Sequence, residues 1–334
     1  IKVVMTVMNQ HTLLKCGKAQ ANYYQRKTLS VLTKVKELHI ENTSLCNASC
    51  VMCARNINGQ GIADTFHPGS LSFSDFQTKI TVNIMHLEKV FFCGNLGDPC
   101  ADNNLLDKIR WLKGIRPNCT VGINTNGSIQ NADWWTQLAQ LLTGTYDYVV
   151  FSIDGLEDTN HVYRTGVQWH KIIKNASAYI ASGGSAHWDM LVFDHNKHQV
   201  DECKQLADTM GFTWFRSKET DRWDQYSETH INPVNIYEYI DYTNIEDVQC
   251  ERNADRSEFI DYTGQTWPCC HIAEMYYAVP NRSMHTDILA LTPNELMTEY
   301  QTKLDDGDPF YVCKRSCGKT LNKKSQWKQQ IQLR

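Results

Sequence analysis

A regular alternation of short apolar runs with helical stretches, between residues 35 and 216, limits the possible folds most strongly. Six runs have the length and composition of strands, and apolar residues at helical spacing lie between them. This alternation predicts parallel strands joined by right-handed crossovers. The predicted strands are Val35–Ile40, Lys89–Cys93, Thr120–Asn124, Tyr146–Ile153, Ala186–Phe193 and Phe212–Phe215.

Five helical stretches lie between these strands. We expect Ser74 to cap the first, which carries Phe76, Ile80 and Ile84 on one face, and Gly211 to end the last. The other predicted bounds are Asn104–Lys113, Asp133–Leu142 with Asn131 or Asp133 as its cap, Trp169–Ile180 and Val200–Met210. Such units suit an open doubly wound sheet or a partial (β/α) barrel, and in both folds chemistry belongs at the C-terminal ends of the strands.

A loop that follows the first predicted strand contains three cysteines, Cys46, Cys50 and Cys53. This spacing allows three thiolates to converge on one metal centre. A closed zinc site needs a fourth ligand from elsewhere, whereas a four-iron cluster on three cysteines leaves one iron open, as a catalytic metal requires. Taken alone, the motif also allows a zinc knuckle.

Turn-forming and polar residues follow each of the next strands. Any one of these segments alone is typical of a turn at a strand end. Because parallel strands bring their C-terminal ends to one edge, we expect the segments to meet around the cysteine loop. They are Gly94–Pro99, Asn124–Gly127, Ser152–Gly155 and Asp194–Asn196.

With these motifs, residues 36 to 320 resemble the radical S-adenosylmethionine (SAM) enzymes. The resemblance implies an α/β fold, a partial (β/α)6 TIM-type barrel, with a [4Fe–4S] cluster on Cys46, Cys50 and Cys53. In that family the open iron chelates the amine and carboxylate of SAM. Reductive cleavage of SAM then gives a 5′-deoxyadenosyl radical, which abstracts a hydrogen atom from the substrate.

The resemblance also implies which residues contact SAM. The segment Gly94–Pro99 matches the glycine-rich motif whose exposed backbone binds the SAM amino group, with Gly94 or Gly97 as the contact. Asp98 stands where the family usually has glutamate.

Four further SAM contacts follow from the same resemblance. Ser152 matches the hydroxyl that contacts the ribose or carboxylate, and Arg164 matches the arginine that pairs with the carboxylate. Asn126 is expected near the ribose, and the backbone of Met52 near the adenine.

A second set of cysteines lies in the C-terminal part of the chain. Two of them flank a predicted β-hairpin, Ser257–Trp267, whose turn is Tyr262–Gln265. Four thiolates fully ligate either one zinc ion or one [4Fe–4S] cluster. The set is Cys250, Cys269, Cys313 and Cys317, and Cys270 is a spare that could replace Cys269.

The second set resembles the twitch domain, the short form of the SPASM domain of radical SAM enzymes. This implies one auxiliary [4Fe–4S] cluster on Cys250, Cys269, Cys313 and Cys317, closed and suited to electron transfer. The expected domains are an N-terminal extension (1–34), the radical SAM partial barrel (35–216), and a small α+β twitch/SPASM-like domain with a basic tail (217–334).

Composition limits the partners. The net charge of −4 and pI of 6.3 make nucleic acid an improbable partner. No run of about 18 apolar residues indicates a membrane helix, and the N-terminus lacks the pattern of a signal peptide, so we expect a cytoplasmic protein. In a reducing compartment the 13 cysteines are expected to be ligands or buried thiols. The buried set would be Cys16, Cys93, Cys100, Cys119 and Cys203.

The sequence thus favours a radical SAM oxidoreductase whose auxiliary cluster accepts an electron from the substrate radical. Because no peptide-recognition domain is visible, oxidation of a small sugar-like alcohol is favoured over the crosslinking or side-chain oxidation of a peptide. The alternative of another class is a non-catalytic zinc or iron–sulfur interaction protein. The resemblance further implies an electron donor such as flavodoxin or ferredoxin.

Overall fold

The structure is a computed structural model that describes residues 35–56, 61–62, 66–219, 245, 247–277, 286–318 and 329–334. The predicted N-terminal extension (1–34), with Cys16, lies outside the described residues. Residues 220–244 and most of the basic tail (319–328) lie outside them as well.

One sheet of nine strands runs through the described residues. All six predicted strands are confirmed, with some ends displaced. The strands are β1 Glu37–Ile40, β2 Lys89–Phe92, β3 Thr120–Thr125, β4 Tyr148–Ser152, β5 Ala186–Val192, β6 Trp214–Glu219, β7 Ser257–Ile260, β8 Thr266–Trp267 and β9 Gln329–Gln332. Strands β1, β2, β4 and β5 are shorter than predicted, because flanking residues keep the apolar pattern after the ladder stops, whereas β6 continues for four polar residues that carry no apolar signal.

The strand order decides between the two candidate folds. Strands β1 to β6 are parallel and adjacent in chain order, whereas a doubly wound sheet reverses its order at a switch point. The partial barrel is therefore confirmed. It is open, because β7 borders β1 and β9 borders β6.

Helices pack against this sheet and share its apolar core. In the part of the chain that the structure describes, none is long and apolar enough to cross a membrane. The helices are α1 Phe73–Asn83, α2 Leu105–Ile115, α3 Ala132–Leu141, α4 Asn160–Tyr163, α5 Trp169–Ala181, α6 Val200–Met210, α7 Glu251–Asp255, α8 Cys270–Tyr277, α9 Thr286–Leu289, α10 Pro293–Asp305 and α11 Tyr311–Cys317.

Local signals explain where the barrel helices begin and end. Ser72, and not Ser74 as predicted, caps α1, because the Ser72 hydroxyl accepts the backbone N–H of Asp75 at 3.0 Å. The Asn131 side chain caps α3 in the same way, through the N–H of Trp134 at 3.0 Å. Gly211 ends α6 with φ +92°, a left-handed conformation that suits glycine.

The C-terminal part extends the barrel sheet at both edges. The predicted hairpin is present as β7 and β8, and Gly264 in its turn has φ +85°. Strand β7 also pairs in parallel with β1, and β9 pairs antiparallel with β6. The sequence did not predict these two pairings, since neither strand follows its partner along the chain.

A row of aromatic side chains crosses the sheet on one face. Neighbouring ring centroids in the row are 4.9 to 6.4 Å apart. Gly122 on β3 lies beneath Phe91 and Tyr148, and a Cβ atom there would come within 2.8 Å of both side chains. The row consists of His39, Phe91, Tyr148, His187 and Trp214.

The substitution Gly122→Ala should lower the free energy of unfolding by about 1–3 kcal/mol, because the added methyl must displace Phe91 or Tyr148. Urea unfolding followed by circular dichroism measures this. Gly114→Ala is the matched control: no atom lies within 4 Å of the new Cβ, and alanine in helix α2 should be neutral or stabilise by about 1 kcal/mol. Equal stability of the two variants would contradict the packing described here.

Candidate active site

The larger of two candidate sites is a cavity of about 280 Å3 at the C-terminal ends of the barrel strands, called the larger cavity below. Six of the seven predicted SAM contacts and all three cysteines of the first loop line it. The walls comprise Cys46, Ala48, Cys50, Cys53, Gly94, Asn95, Gly97, Asp98, Asn124, Thr125, Asn126, Ser152, Asp154, Tyr163, Arg164, Asp189, Met190, Leu191 and Lys218.

The loop after β1 places its three cysteines on one wall of this cavity. Burial raises the pKa of Cys46 to about 12 and that of Cys50 to about 11, so both are neutral thiols until a metal displaces their protons. The buried Arg55 donates a hydrogen bond to the carbonyl of Ala48 and so holds the loop between Cys46 and Cys50.

The three thiols of this loop suit an iron–sulfur cluster better than a single metal ion. Among the described residues, no three His, Cys, Asp or Glu side chains meet closely enough to share a single ion. The sulfur atoms that hold a four-iron cluster can lie further apart, because each thiolate binds its own iron atom. Three half-buried sulfurs along one cavity wall fit such a cluster.

The glycine turn after β2 is held by a residue that the sequence did not single out, Glu41. Its carboxylate accepts the backbone N–H groups of Asn95 at 2.9 Å, Leu96 at 3.0 Å and Gly97 at 2.8 Å. The Cys93 thiol lies 3.7 Å from the same carboxylate. Glu41 is fully buried. Burial raises its pKa to about 8, although the hydrogen bonds from the three N–H groups favour the ionised form and lower the pKa.

The two glycines of this turn have different surroundings. A Cβ atom on Gly97 would lie 2.1 Å from the carbonyl oxygen of Thr43, so glycine is required where the turn meets the root of the cysteine loop. Gly94 is exposed at the larger cavity, with the Gly97 carbonyl oxygen 3.1 Å from its would-be Cβ. Both glycines line the larger cavity, and Gly94 is the more exposed of the two.

Asp98 joins the ends of β2 and β3. Its carboxylate accepts the backbone N–H of Asn126 at 2.7 Å, the N–H of Cys100 at 3.0 Å and the hydroxyl of Thr125 at 2.9 Å. Burial raises the pKa of Asp98, while these hydrogen bonds act against the shift. Asn126 in turn reaches the cysteine loop, donating to Asn47 at 2.9 Å and lying 3.7 Å from the sulfur of Cys46.

Asp154 and Arg164 form a buried ion pair in the wall of the larger cavity, which Ser152 also lines. The Arg164 Nε atom is 2.7 Å from Asp154 Oδ2, and the Asp154 side chain is fully buried. Burial opposes the charge of Arg164, but Asp154 and the neighbouring Cys50 thiol raise its pKa overall. Asn124 also lines this cavity, and its Oδ1 atom accepts no hydrogen bond from any described residue.

Some predicted residues lie away from the larger cavity. Met52, between Cys50 and Cys53 in the loop, is fully buried in an apolar cluster with Tyr163 and Phe193. His195 stacks on Phe193 with centroids 5.3 Å apart. The prediction of buried thiols is confirmed for Cys93, Cys100, Cys119 and Cys203, each at most 3% exposed.

The C-terminal cysteines meet in a second cavity of about 70 Å3, called the smaller cavity. Cys313 and Cys317 lie one turn apart on α11, and Cys250 immediately precedes α7. Burial raises the pKa of the Cys269 thiol to about 12. Arg252 also lines this cavity, and burial lowers its pKa although Glu258 lies 3.5 Å away. The cysteines in the wall are Cys250, Cys269, Cys270, Cys313 and Cys317.

The glycine turn connects the two cavities. Asn95 lines the larger cavity, and its side chain reaches the thiol of Cys270, which lines the smaller cavity. Leu96 and Cys93 pack in the same apolar cluster as Phe259 and Trp267 of the hairpin. A weak signal for Glu41 was present in the sequence, because Glu41 is a carboxylate directly after β1, at the edge where the other site residues lie.

Solved structures with this fold include SuiB of Streptococcus suis. Its complex with the precursor peptide SuiA has a TM-score of 0.53 at 14% identity, covering 79% of this chain and 65% of SuiB. SuiB bound to S-adenosylmethionine has a TM-score of 0.51, also at 14% identity, and covers 80% and 68% of the two chains. The anSMEcpe structure with S-adenosylmethionine and the Cp18Cys peptide has a TM-score of 0.52 at 14% identity, covering 85% and 89%.

One curated protein matches in sequence. The tungsten-containing aldehyde ferredoxin oxidoreductase cofactor-modifying protein of Pyrococcus furiosus is 29% identical over 132 residues. The match covers 40% of this chain and 34% of that protein, so the chain spans about a third of the relative. No protein-family model matches the chain.

The substitution Asp154→Asn should lower the free energy of unfolding by about 3 kcal/mol, because it leaves the buried charge of Arg164 without its counter-ion. Thermal and urea unfolding measure this cost. The exposed pair of Asp107 with Arg110 provides the control, and Asp107→Asn should cost less than about 1 kcal/mol. Equal costs would mean that the Asp154–Arg164 pair is hydrated and not part of the packed wall.

Proposed function

The chain has the fold of the radical SAM enzymes, and we propose that it is an enzyme that binds a [4Fe–4S] cluster and SAM in the larger cavity. The observation that carries this proposal is the convergence of Cys46, Cys50 and Cys53 with the glycine turn, Asn126, Ser152 and Arg164 around one cavity. The solved complexes of SuiB and anSMEcpe with S-adenosylmethionine support it.

In this proposal Cys46, Cys50 and Cys53 hold the cluster and leave one iron free for the amine and carboxylate of SAM. When bound, the cluster and SAM supply a 5′-deoxyadenosyl radical that can take a hydrogen atom from an unactivated carbon. The protein's share is to position SAM through Gly94, Asn126 and Ser152. Arg164, pre-oriented by Asp154, adds positive charge beside Cys50 and the carboxylate.

The smaller cavity is proposed to hold an auxiliary [4Fe–4S] cluster on Cys250, Cys269, Cys313 and Cys317. Four thiolates would close its iron atoms to substrate, which suits electron transfer. Such a cluster would supply an acceptor for one electron. If the substrate lost a hydrogen atom to the 5′-deoxyadenosyl radical, one electron to this acceptor and one proton to water, it would undergo a net two-electron oxidation. A flavodoxin or ferredoxin is the proposed electron donor.

A peptide is now the favoured substrate class. SuiB was solved with a precursor peptide and anSMEcpe with the Cp18Cys peptide, and both share the fold of this chain at TM-scores above 0.5. Oxidation of a small sugar-like alcohol, which the sequence favoured, stays a prediction.

Anaerobic reconstitution tests the metal assignment. The full chain should bind about eight iron atoms, Cys50→Ala about four, and Cys313→Ala about four, because each set carries one four-iron cluster. Reduction with SAM present should release 5′-deoxyadenosine from the full chain and not from Cys50→Ala. Iron content and chromatography of the nucleoside measure both.

Cys203→Ala controls for the loss of a buried thiol, because Cys203 is fully buried and lines neither cavity. It should keep the full iron content. One zinc ion per cysteine set with no cleavage of SAM would contradict the enzyme proposal and favour the interaction-protein alternative.

The electron-acceptor role of the smaller cavity has its own test. Cys250→Ala and Cys313→Ala should still cleave SAM but form no oxidised product, because the substrate radical has no acceptor. Mass spectrometry of the product, with 5′-deoxyadenosine counted in parallel, separates the two effects. Product formation at the normal rate in either variant would refute this role.

The substrate class can be tested by isotope transfer. The host grown in deuterated medium supplies an extract that is divided by ultrafiltration into peptide and small-molecule fractions. Deuterium should pass into 5′-deoxyadenosine with the peptide fraction, because the abstracted atom ends on that product. Transfer only with the small-molecule fraction would favour the sugar-like alcohol instead.

A further inference from the structure

The wall of the smaller cavity contains a buried guanidinium group, that of Arg252. Arg252 follows Cys250 by two residues on helix α7, and its side chain is only 10% exposed. Among the described residues that line this cavity, Arg252 is the only lysine or arginine. A buried charge is costly unless neighbouring groups compensate it, so its contacts indicate what the charge is for.

The described contacts of Arg252 compensate its charge only in part. Its Nη2 atom lies 3.5 Å from Glu258 Oε1, which is long for a charged hydrogen bond. The guanidinium carbon also lies 4.4 Å from the centre of the Tyr300 ring, whose face attracts a cation. Neither contact is a close pairing of the kind that Arg164 makes with Asp154.

Glu258 also interacts with a second cation. Burial raises the pKa of Glu258, and Arg252 and Lys79 both act against that shift. Asp255 lines the same cavity, but it is exposed, and water screens its charge. One buried carboxylate is therefore shared by two cations, which leaves an excess of positive charge on this wall.

The Nε–H group of Arg252 is a buried donor that has no acceptor among the described residues. Two of the proposed cluster ligands lie near it: burial lowers the pKa of Arg252, and Glu258, Cys250 and Cys269 act in the opposite direction. The sulfur atoms of a bound cluster and of its thiolate ligands accept hydrogen bonds. A cluster in this cavity would therefore supply both the negative charge and the acceptor that the guanidinium lacks.

We propose that Arg252 raises the reduction potential of the auxiliary cluster and so makes it an acceptor for the substrate electron. This inference rests on the proposed function, because it needs a cluster in the smaller cavity. Reduction adds one electron and makes the cluster more negative by one charge, with no change of ligands. A fixed positive charge nearby and a hydrogen bond to sulfur both stabilise the reduced form more than the oxidised form.

Redox titration followed by electron paramagnetic resonance tests this role. The full chain carrying Cys50→Ala is reconstituted anaerobically, so that the signal comes from the smaller cavity alone. In this parent, Arg252→Gln should lower the equilibrium constant for one-electron reduction at least tenfold, a downward shift of about 59 mV or more. Arg252→Lys keeps the charge and should stay within threefold of the parent.

Arg256→Gln is the matched control. Arg256 follows the last residue of the same helix, but it is exposed and does not line the smaller cavity. The same loss of charge there should change the equilibrium constant less than threefold, because solvent and ions screen it. Equal shifts in Arg252→Gln and Arg256→Gln would mean that net charge sets the potential, and would overturn the proposal.

Glu258→Gln covers the case in which Arg252→Gln holds no cluster. It removes the buried carboxylate that partly balances Arg252, so the equilibrium constant for reduction should rise at least threefold. An unchanged or lower potential in Glu258→Gln would contradict the proposed role of Arg252.

The outcomes separate the inference from the proposed function. A Cys50→Ala parent that holds no iron in the smaller cavity, or holds zinc there, refutes the auxiliary cluster itself. A parent that holds the cluster, with a potential that Arg252→Gln does not lower, refutes only the role of Arg252. A shift in Arg252→Gln that is equally large in Arg252→Lys would overturn the role of the positive charge.

Discussion

The larger cavity depends on one buried interaction, the three hydrogen bonds that Glu41 accepts from the turn after β2. A buried carboxylate without such partners would cost several kcal/mol. The N–H groups of the turn therefore stabilise buried Glu41, and Glu41 holds the turn in place. Glu41 lies five residues before Cys46, and Gly97 packs against the chain between them. The cysteine loop and the glycine turn are thereby fixed together before any cofactor binds.

Asp98 and Asp154 extend this arrangement around the barrel. Asp98 ties the end of β2 to the end of β3, and Asp154 at the end of β4 holds Arg164 near Cys50. Each carboxylate is buried and accepts bonds from the neighbouring segment. Buried carboxylates after β1, β2 and β4 therefore support the cavity wall and hold its polar groups in place.

The alternation of apolar runs and helices sufficed to predict β1 to β6, because period and length carry that information. It did not predict β7 beside β1 or β9 beside β6, since pairing between distant segments leaves no local pattern. The cysteines and Gly94 were found because their residue types are unusual. The anchoring role of Glu41 and the pairing of Arg164 with Asp154 were missed. A carboxylate after a strand usually lies in solvent, and only the fold shows that Glu41 and Asp154 are buried.

Anomalous diffraction from crystals of the reconstituted chain grown with SAM tests the central claim most directly. Data collected on both sides of the iron edge should give two separate iron peaks. One should lie beside Cys46, Cys50 and Cys53 with density for SAM against Gly94, and one should lie in the smaller cavity between Cys250 and Cys313. A peak at the zinc edge in the larger cavity, or an iron peak there with SAM density elsewhere, would contradict the account.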